Sequence, residues 1–272
     1  MDDLALRVLG CRGSMAVAGE AYRRYGGNTT CFEVEVEPGH HLVIDCGTGL
    51  RTLQQEAAEG GPRRYSVFFT HYHWDHIQGL PVFLPLFEPG NQISFHGPRY
   101  RDEGVRETLG RVIRPPWWPV SLEEVSATVS FHDIGGPVSV GPVRLRHTRG
   151  IHPQGVVAYR LDGPARSVVV ATDHEAGDAE ADAAITSLAA GADVLIHDAQ
   201  YTPEEHQASR KDWGHSTWES ATVAARDAGV NRLVLTSHDP DRSDGEIDRI
   251  RGQARSVFPL ADAAYEGMTL QL

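Results

Sequence analysis

Three imidazoles and one carboxylate crowd into six residues of this chain, within the run Thr70-His71-Tyr72-His73-Trp74-Asp75-His76. The strand-like segment Tyr65-Ser66-Val67-Phe68-Phe69 leads straight into it. No regular strand or helix puts all four groups on one face. His71 and His73 share a side in extended chain, whereas Asp75 and His76 lie round a turn. Such a loop offers nitrogen ligands to one metal ion and a carboxylate with a nitrogen to a second. Imidazole together with carboxylate suits zinc, manganese or iron better than calcium. The bland alternative is a solvated turn that happens to be His-rich. With 14 histidines in 272 residues, chance explains this density at one strand end poorly.

Other residues able to do chemistry stand at the ends of apolar runs. Leu42-Val43-Ile44 ends in Asp45 before Cys46-Gly47-Thr48-Gly49. That carboxylate either orients a ligating histidine from behind or caps the turn or the next helix. His152 sits in the turn Ile151-His152-Pro153-Gln154-Gly155, with His147 a competitor at a strand end. Ser167-Val168-Val169-Val170-Ala171 runs into Thr172-Asp173-His174. Asp178 is better placed than Asp173 to cap the Ala-rich helix that follows, and His174 has no evident role. Asp193-Val194-Leu195-Ile196 leads to His197-Asp198, and Arg232-Leu233-Val234-Leu235-Thr236 to Ser237-His238-Asp239-Pro240. Ser216 and Glu219 have capping-box spacing, which predicts a helix from Ser216 to about Gly229. His215 then precedes a positive helix end, where anions bind well.

The elements that must position these groups alternate short strands with helices. Leu4 to Gly10 reads as a first strand. Cys31 to Glu37 alternates strictly and predicts a strand with one buried and one acidic, wet face. After Gly49 an amphipathic helix is expected to run to about Glu59, and Gly79 to Phe87 is apolar and broken by prolines. Residues 98–124 hold a charged helix and then Arg114-Pro115-Pro116-Trp117-Trp118-Pro119. Trp117 and Trp118 could wall a substrate site, but a loop anchored in the core by its aromatics is the preferred reading. Val125–His132 and Val138–His147 read as two strands, and a terminal helix over Gly245 to Val257 closes the fold.

A chain of this length supports one large domain, and no linker, repeat or low-complexity tract divides residues 1–272. The net charge of −12, with 25 basic residues that are all arginine except Lys211, disfavours extensive nucleic-acid binding. It is compatible with a small anionic substrate. No segment resembles a signal peptide or reaches membrane-spanning length, so no membrane partner is expected. Three scattered cysteines, Cys11, Cys31 and Cys46, fit a reducing cytoplasm better than a disulfide scaffold.

The pattern His71-x-His73-x-Asp75-His76 resembles the signature of the metallo-β-lactamase superfamily. The resemblance implies an α+β fold, a four-layer αββα sandwich of two mixed sheets with helices outside and a metal site at one edge. His197-Asp198-Ala199-Gln200 with Gly214-His215-Ser216-Thr217 looks like the paired motifs of tRNase Z and its cyclic phosphodiesterase relatives, including those acting on phosphoribosyl cyclic phosphates. Asp198 replaces the usual Glu, and Thr236-Ser237-His238 puts the last histidine one place late. Nothing resembles the long flexible arm with which tRNase Z grips tRNA.

Carried over, the resemblance gives His71, His73 and His152 to one metal and Asp75, His76 and His238 to another, with Asp173 bridging. Two divalent ions are implied, zinc first, with manganese or iron as alternatives. It further implies metal-activated hydroxide attacking the phosphorus of a small or cyclic phosphodiester, with His215 as general acid and Asp198 as its partner. A tRNA 3′-processing endoribonuclease is the alternative. A thioesterase, or a sensor that binds ligand through the metals without turnover, comes third. Flavodiiron chemistry is disfavoured because that motif carries Glu where this chain has His73. Homodimers are common among the relatives.

Overall fold

The computed structural model describes residues 4–56 and 61–272. Among the described residues, fourteen strands pair into two seven-stranded sheets. The first is built from β1 (Ala5–Gly10), β2 (Cys31–Glu37), β3 (His40–Ile44), β4 (Arg64–Phe68), β5 (Gln92–Gly97) and β6 (Thr128–Asp133). The second holds β7 (Val138–Val140), β8 (Val143–Gly150), β9 (Val156–Asp162), β10 (Ser167–Ala171), β11 (Val194–Asp198), β12 (Arg232–Thr236) and β13 (Ala261–Ala263). The last strand, β14 (Thr269–Gln271), returns to pair antiparallel with β1. The first sheet is antiparallel from β14 to β3 and parallel from β3 to β6. The second is antiparallel from β7 to β10 and parallel from β10 to β13. Parallel strands need their connections on the sheet faces, and those connections supply the outer layers.

One core lies between the sheets, where Val8, Phe32, Ile44 and Phe68 meet Val157, Tyr159, Val170 and Ile196. The outer face of the first sheet is covered by α1 (Arg51–Glu56), the helical turn α2 (Trp74–Ile77) and α3 (Val105–Val112). Over the second sheet lie α4 (Ala179–Ala189), α6 (Trp218–Ala228) and α7 (Asp244–Val257), and the short turn α5 (Pro203–Glu205) falls between β11 and α6. The result is the expected αββα sandwich.

Several local expectations need correcting. Helix α6 is capped by Thr217, whose side chain accepts from the Ser220 amide, so the helix begins at Trp218 and not at Ser216. The Ser216 hydroxyl instead donates to the His174 carbonyl. Val138–His147 is a hairpin of β7 and β8, because Gly141, with φ of 54°, turns the chain. On β2 the supposed wet face is partly closed, since Glu33 is buried against Arg7 and His41 while Glu35 and Glu37 stay exposed. The fold does not end at α7, because β13 and β14 extend both sheets. The end of the helix expected to reach Glu59 lies outside the described residues.

Candidate metal centre

Functional side chains collect where parallel strands of both sheets end at the same edge, the position where parallel sheets open a crevice for ligands. From the first sheet, β3 ends in Asp45 and β4 leads through Thr70 to His71 and His73, after which α2 presents Asp75 and His76. From the second, β10 leads to Asp173, β11 ends in Asp198 and β12 leads to Ser237. Asp45, Asp173 and Ser237 all have left-handed backbone, with φ of 59°, 52° and 57°. Non-glycine residues rarely adopt this conformation, and when they do they cluster at sites where the surrounding fold imposes it.

Gly47 allows the loops of the first sheet to meet. A Cβ there would lie 2.6 Å from the Asp75 carbonyl oxygen, and the close approach lets the Cys46 amide donate to the His76 carbonyl at 2.7 Å. Arg12, wholly buried, fastens the neighbouring loops. Its Nε donates to the Gly26 carbonyl and its Nη1 to the carbonyls of Asp239 and Arg242. Ser14, two residues on, donates its amide to Asp75 Oδ2 at 2.8 Å.

His71, His73 and His152 each present a ring nitrogen, all within 4.8 Å of one another. His71, His76 and Asp173 meet the same limit, as do His152, Asp173 and His215. His152 Nε2 lies 2.9 Å from His73 Nδ1. His71 Nε2 is buried and has no hydrogen-bond partner, although Asp173 Oδ2 lies 3.9 Å away. An orphaned buried nitrogen is costly unless something fills the space before it. A divalent cation meets that need, so the donors of His71, His73, His152 and Asp173 fit a metal ion. Burial, opposed by Asp173, lowers His152 to about 4, leaving its imidazole neutral and able to ligate.

Against the same Asp173 oxygen, His76 Nε2 lies 3.2 Å from Oδ2 and 3.4 Å from Asp75 Oδ2. Its Nδ1 donates to Asp45 Oδ2 at 2.7 Å, and the Thr70 amide and hydroxyl also bind Asp45. Asp45 therefore orients His76 from behind. Burial opposes charge on His76, yet Asp173, Asp75 and Asp45 hold it well above its ordinary range.

His238 does not join these groups. Its Nε2 donates to the Ala264 carbonyl at 2.9 Å and its ring packs edge-on against Tyr25. Burial pushes its pKa down to about 3. The residue facing Asp173 is Ser237, whose hydroxyl donates to Asp173 Oδ1 at 3.0 Å. Neighbouring residues leaving a strand project to opposite sides, so a one-place displacement of the histidine sends it away from the cluster. The expected ligand set for the second ion is thus not assembled.

His215 Nδ1 donates to Asp198 Oδ2 at 2.7 Å, leaving Nε2 for a cavity of about 330 Å³ that His73, Asp75, His152 and Asp173 also line. Burial lowers the His215 pKa, but the Asp198 carboxylate overcomes this and raises it to about 9. Gly214, with φ of 89°, has space for no side chain, since a Cβ would sit 2.2 Å from His152 Nδ1. Its carbonyl accepts from that nitrogen at 2.7 Å, and its amide donates to Glu175. A larger cavity of about 620 Å³ adjoins His71 and His73, lined by Tyr72, Tyr100, Arg101, Arg149 and Gln154.

His147 lies on β8 beside Tyr159, outside the cluster, and His174 is bonded to Asp182. Trp117 is 73% exposed and Trp118 packs on the first sheet's outer core; neither lines the two cavities above. Thr70, Gln154 and Glu175 support the cluster without any signal in the motif. Thr70 binds Asp45 and His71, Gln154 binds His73, and Glu175 accepts from His206 and the amides of Asp212 and Gly214.

A sandwich of back-to-back sheets thus carries a buried histidine–carboxylate cluster at one edge, a donor set suited to a divalent metal ion. Residues 40–238 match the model of the beta-lactamase superfamily domain. The chain is 29% identical over 246 residues to ribonuclease Z of Mycobacterium sp. (strain KMS), covering 81% of this chain and 82% of that one. Its fold is similar to that of YhfI, a metallo-β-lactamase fold protein from Bacillus subtilis, with a TM-score of 0.75, 21% identity and all of both chains covered. A diphosphatase from the PhnP family gives a TM-score of 0.73 at 18% identity, over 99% of this chain and 98% of that one. The chain belongs to the metallo-β-lactamase superfamily. It is a hydrolase, and its fold is one that holds divalent metal ions. No helix among the described residues is long and apolar enough to cross a membrane.

Proposed function

We propose that this hydrolase cleaves a small or cyclic phosphodiester, with His215 as general acid. The observation carrying this reading is the buried His215–Asp198 pair at 2.7 Å, opening on the same cavity as the metal cluster. His71, His73, His152 and Asp173 hold divalent metal, zinc being the first choice for this donor set. The chemistry such a group supplies when bound is Lewis acidity toward a water and toward the phosphoryl oxygens. Asp198 fixes the His215 tautomer, keeps the imidazolium charged and aims Nε2 into the cavity. From there His215 protonates the departing oxygen of the substrate. Ser216 reinforces the geometry, since its amide donates to the other oxygen of Asp198 at 2.8 Å. The net charge of −12 and the modest cavities favour a compact anion over a long polyanion.

A second reading, cleavage of precursor tRNA, is favoured by the ribonuclease relatives that match over four-fifths of both chains. The two separate in one assay of bis-p-nitrophenyl phosphate, 2′,3′- and 3′,5′-cyclic nucleotides and a precursor tRNA. Turnover of the small diesters with intact tRNA is the expected result. Release of the 3′ trailer would transfer the assignment to the endoribonuclease. Bound metal with no turnover of any of them would sink both, in favour of a thioesterase or a metal-dependent sensor.

A further inference from the structure

We infer that the two cation positions are unequal: one ion is held tightly by His71, His73, His152 and Asp173, and any second ion beside Asp75 and His76 is weak and exchangeable because Ser237 stands where an imidazole would complete its ligands. The inference rests on the metal reading of this cluster and asks how many ions it retains.

Three observations carry it. First, Ser237 occupies the turn after β12 that faces Asp173, and the next residue, His238, is committed to the Ala264 carbonyl on the far side. A serine hydroxyl is a poor replacement for imidazole as a ligand to zinc or its neighbours. Second, only one oxygen of Asp173 faces the cluster. The hydroxyls of Thr172 and Ser237 donate to Oδ1 at 2.6 and 3.0 Å. Oδ2 alone faces His71, His76 and His152. A carboxylate bridging two ions with one oxygen each would first have to give up those two bonds. Third, Asp75 Oδ2 already accepts from the Ser14 amide at 2.8 Å and lies 3.4 Å from His76 Nε2, so that oxygen is already engaged by the protein itself. The unsatisfied atom, His71 Nε2, marks the other position.

The test counts zinc and does not read activity. Zinc-loaded protein passed through gel filtration in metal-free buffer should retain one equivalent by mass spectrometry. Titration of zinc into stripped protein should show a second equivalent binding at least tenfold more weakly. Asp75→Asn should abolish the weak equivalent and keep the tight one, whereas His71→Ala should lose the tight one. Ser237→His restores the missing donor at a left-handed position that histidine tolerates better than most residues. It should retain two equivalents, while Ser237→Ala should still retain one.

Two equivalents of equal affinity in the parent protein would overturn the inference while leaving the metal reading intact. A folded Ser237→His chain that still retains one equivalent would also overturn it. Should Ser237→His fail to fold, the Asp75→Asn and His71→Ala pair decides, since equal losses from both contradict unequal positions. No zinc bound at all would instead remove the metal reading on which the phosphodiesterase proposal stands.

Discussion

At the edge carrying His71, His73 and His152, each ring is held from behind by its other nitrogen, against Thr70 Oγ1 at 3.1 Å, Gln154 Oε1 at 2.8 Å and the Gly214 carbonyl at 2.7 Å. The inward nitrogens converge with little but each other to bind. At the edge carrying Asp75 and His76 the groups face inward too, but the Ser14 amide already binds Asp75, and His76 is already bound on both nitrogens, to Asp45 and Asp173. The same residue types are therefore preorganised for an ion in one place and self-satisfied in the other. Residue type alone does not set affinity; what the remaining lone pairs are doing does.

The comparison can be broken most severely at His71. Its replacement by alanine should remove the tight ion and lower turnover of bis-p-nitrophenyl phosphate by about 10³-fold or more, the scale of several kcal/mol of charge stabilisation. Asp75→Asn should cost no more than about one-tenth as much on the scale of fold-loss; equal losses in steady-state assays would erase the distinction between the edges. Next in size, His215→Ala should slow alkyl diesters by ~10²–10⁴-fold while nearly sparing a nitrophenolate leaving group, which departs without a proton. Losses of the same size on both substrates would remove the acid assignment and leave the two edges as the whole machinery.

Smaller effects sharpen the contrast. Gln154→Ala and Asp45→Asn each remove a group that orients one imidazole, and such changes cost about 10–100-fold in metal affinity. Zinc titration should show the first acting on the tight equivalent and the second on the weak one. The mildest test is the melting temperature of metal-free protein against pH. His152 has a folded pKa of about 4 against an ordinary 6.5. Its contribution is thus intact above 6.5 and lost as pH falls toward 4. His76 has the opposite sign, because its folded pKa is raised. Its stabilisation is full below 6.5 and fades as pH rises through the folded value. His76→Gln should therefore lie furthest below the parent in mild acid and approach it in alkali; a constant gap across that range would contradict the charge assignment.

Much of this was legible in the sequence. The αββα sandwich followed from the metal-loop signature, and the strand ends bearing Asp45, His71, Asp173 and Asp198 were marked by apolar runs closing on polar residues. His152 and not His147 reached the cluster, as its turn suggested. What was not legible depended on side-chain direction. The one-place displacement of His238 was visible in Thr236-Ser237-His238, but that it turns the ring to the Ala264 carbonyl and leaves Ser237 facing Asp173 follows from how the chain leaves β12. The supporting roles of Thr70, Gln154 and Glu175 were invisible because side-chain hydrogen bonds set by the fold leave no periodic trace. The start of α6 was misplaced by one competing cap, Thr217 over Ser216, which lies two residues from the chemistry.

Arg12 has a consequence for how the site comes into being. The carbonyls that its guanidinium grips at Asp239 and Arg242 lie 227 and 230 residues further along the chain. During synthesis at about 5–20 residues per second, the arginine waits roughly 10–45 s for those partners. Asp75 has by then long been made, but the loop that brings the Ser14 amide to it is still unfastened. A nascent chain can offer His71, His73 and His76 to free metal well before Asp173 exists to balance them. The loop that carries the Ser14 amide to Asp75 is therefore fastened only once the last part of the chain has been made.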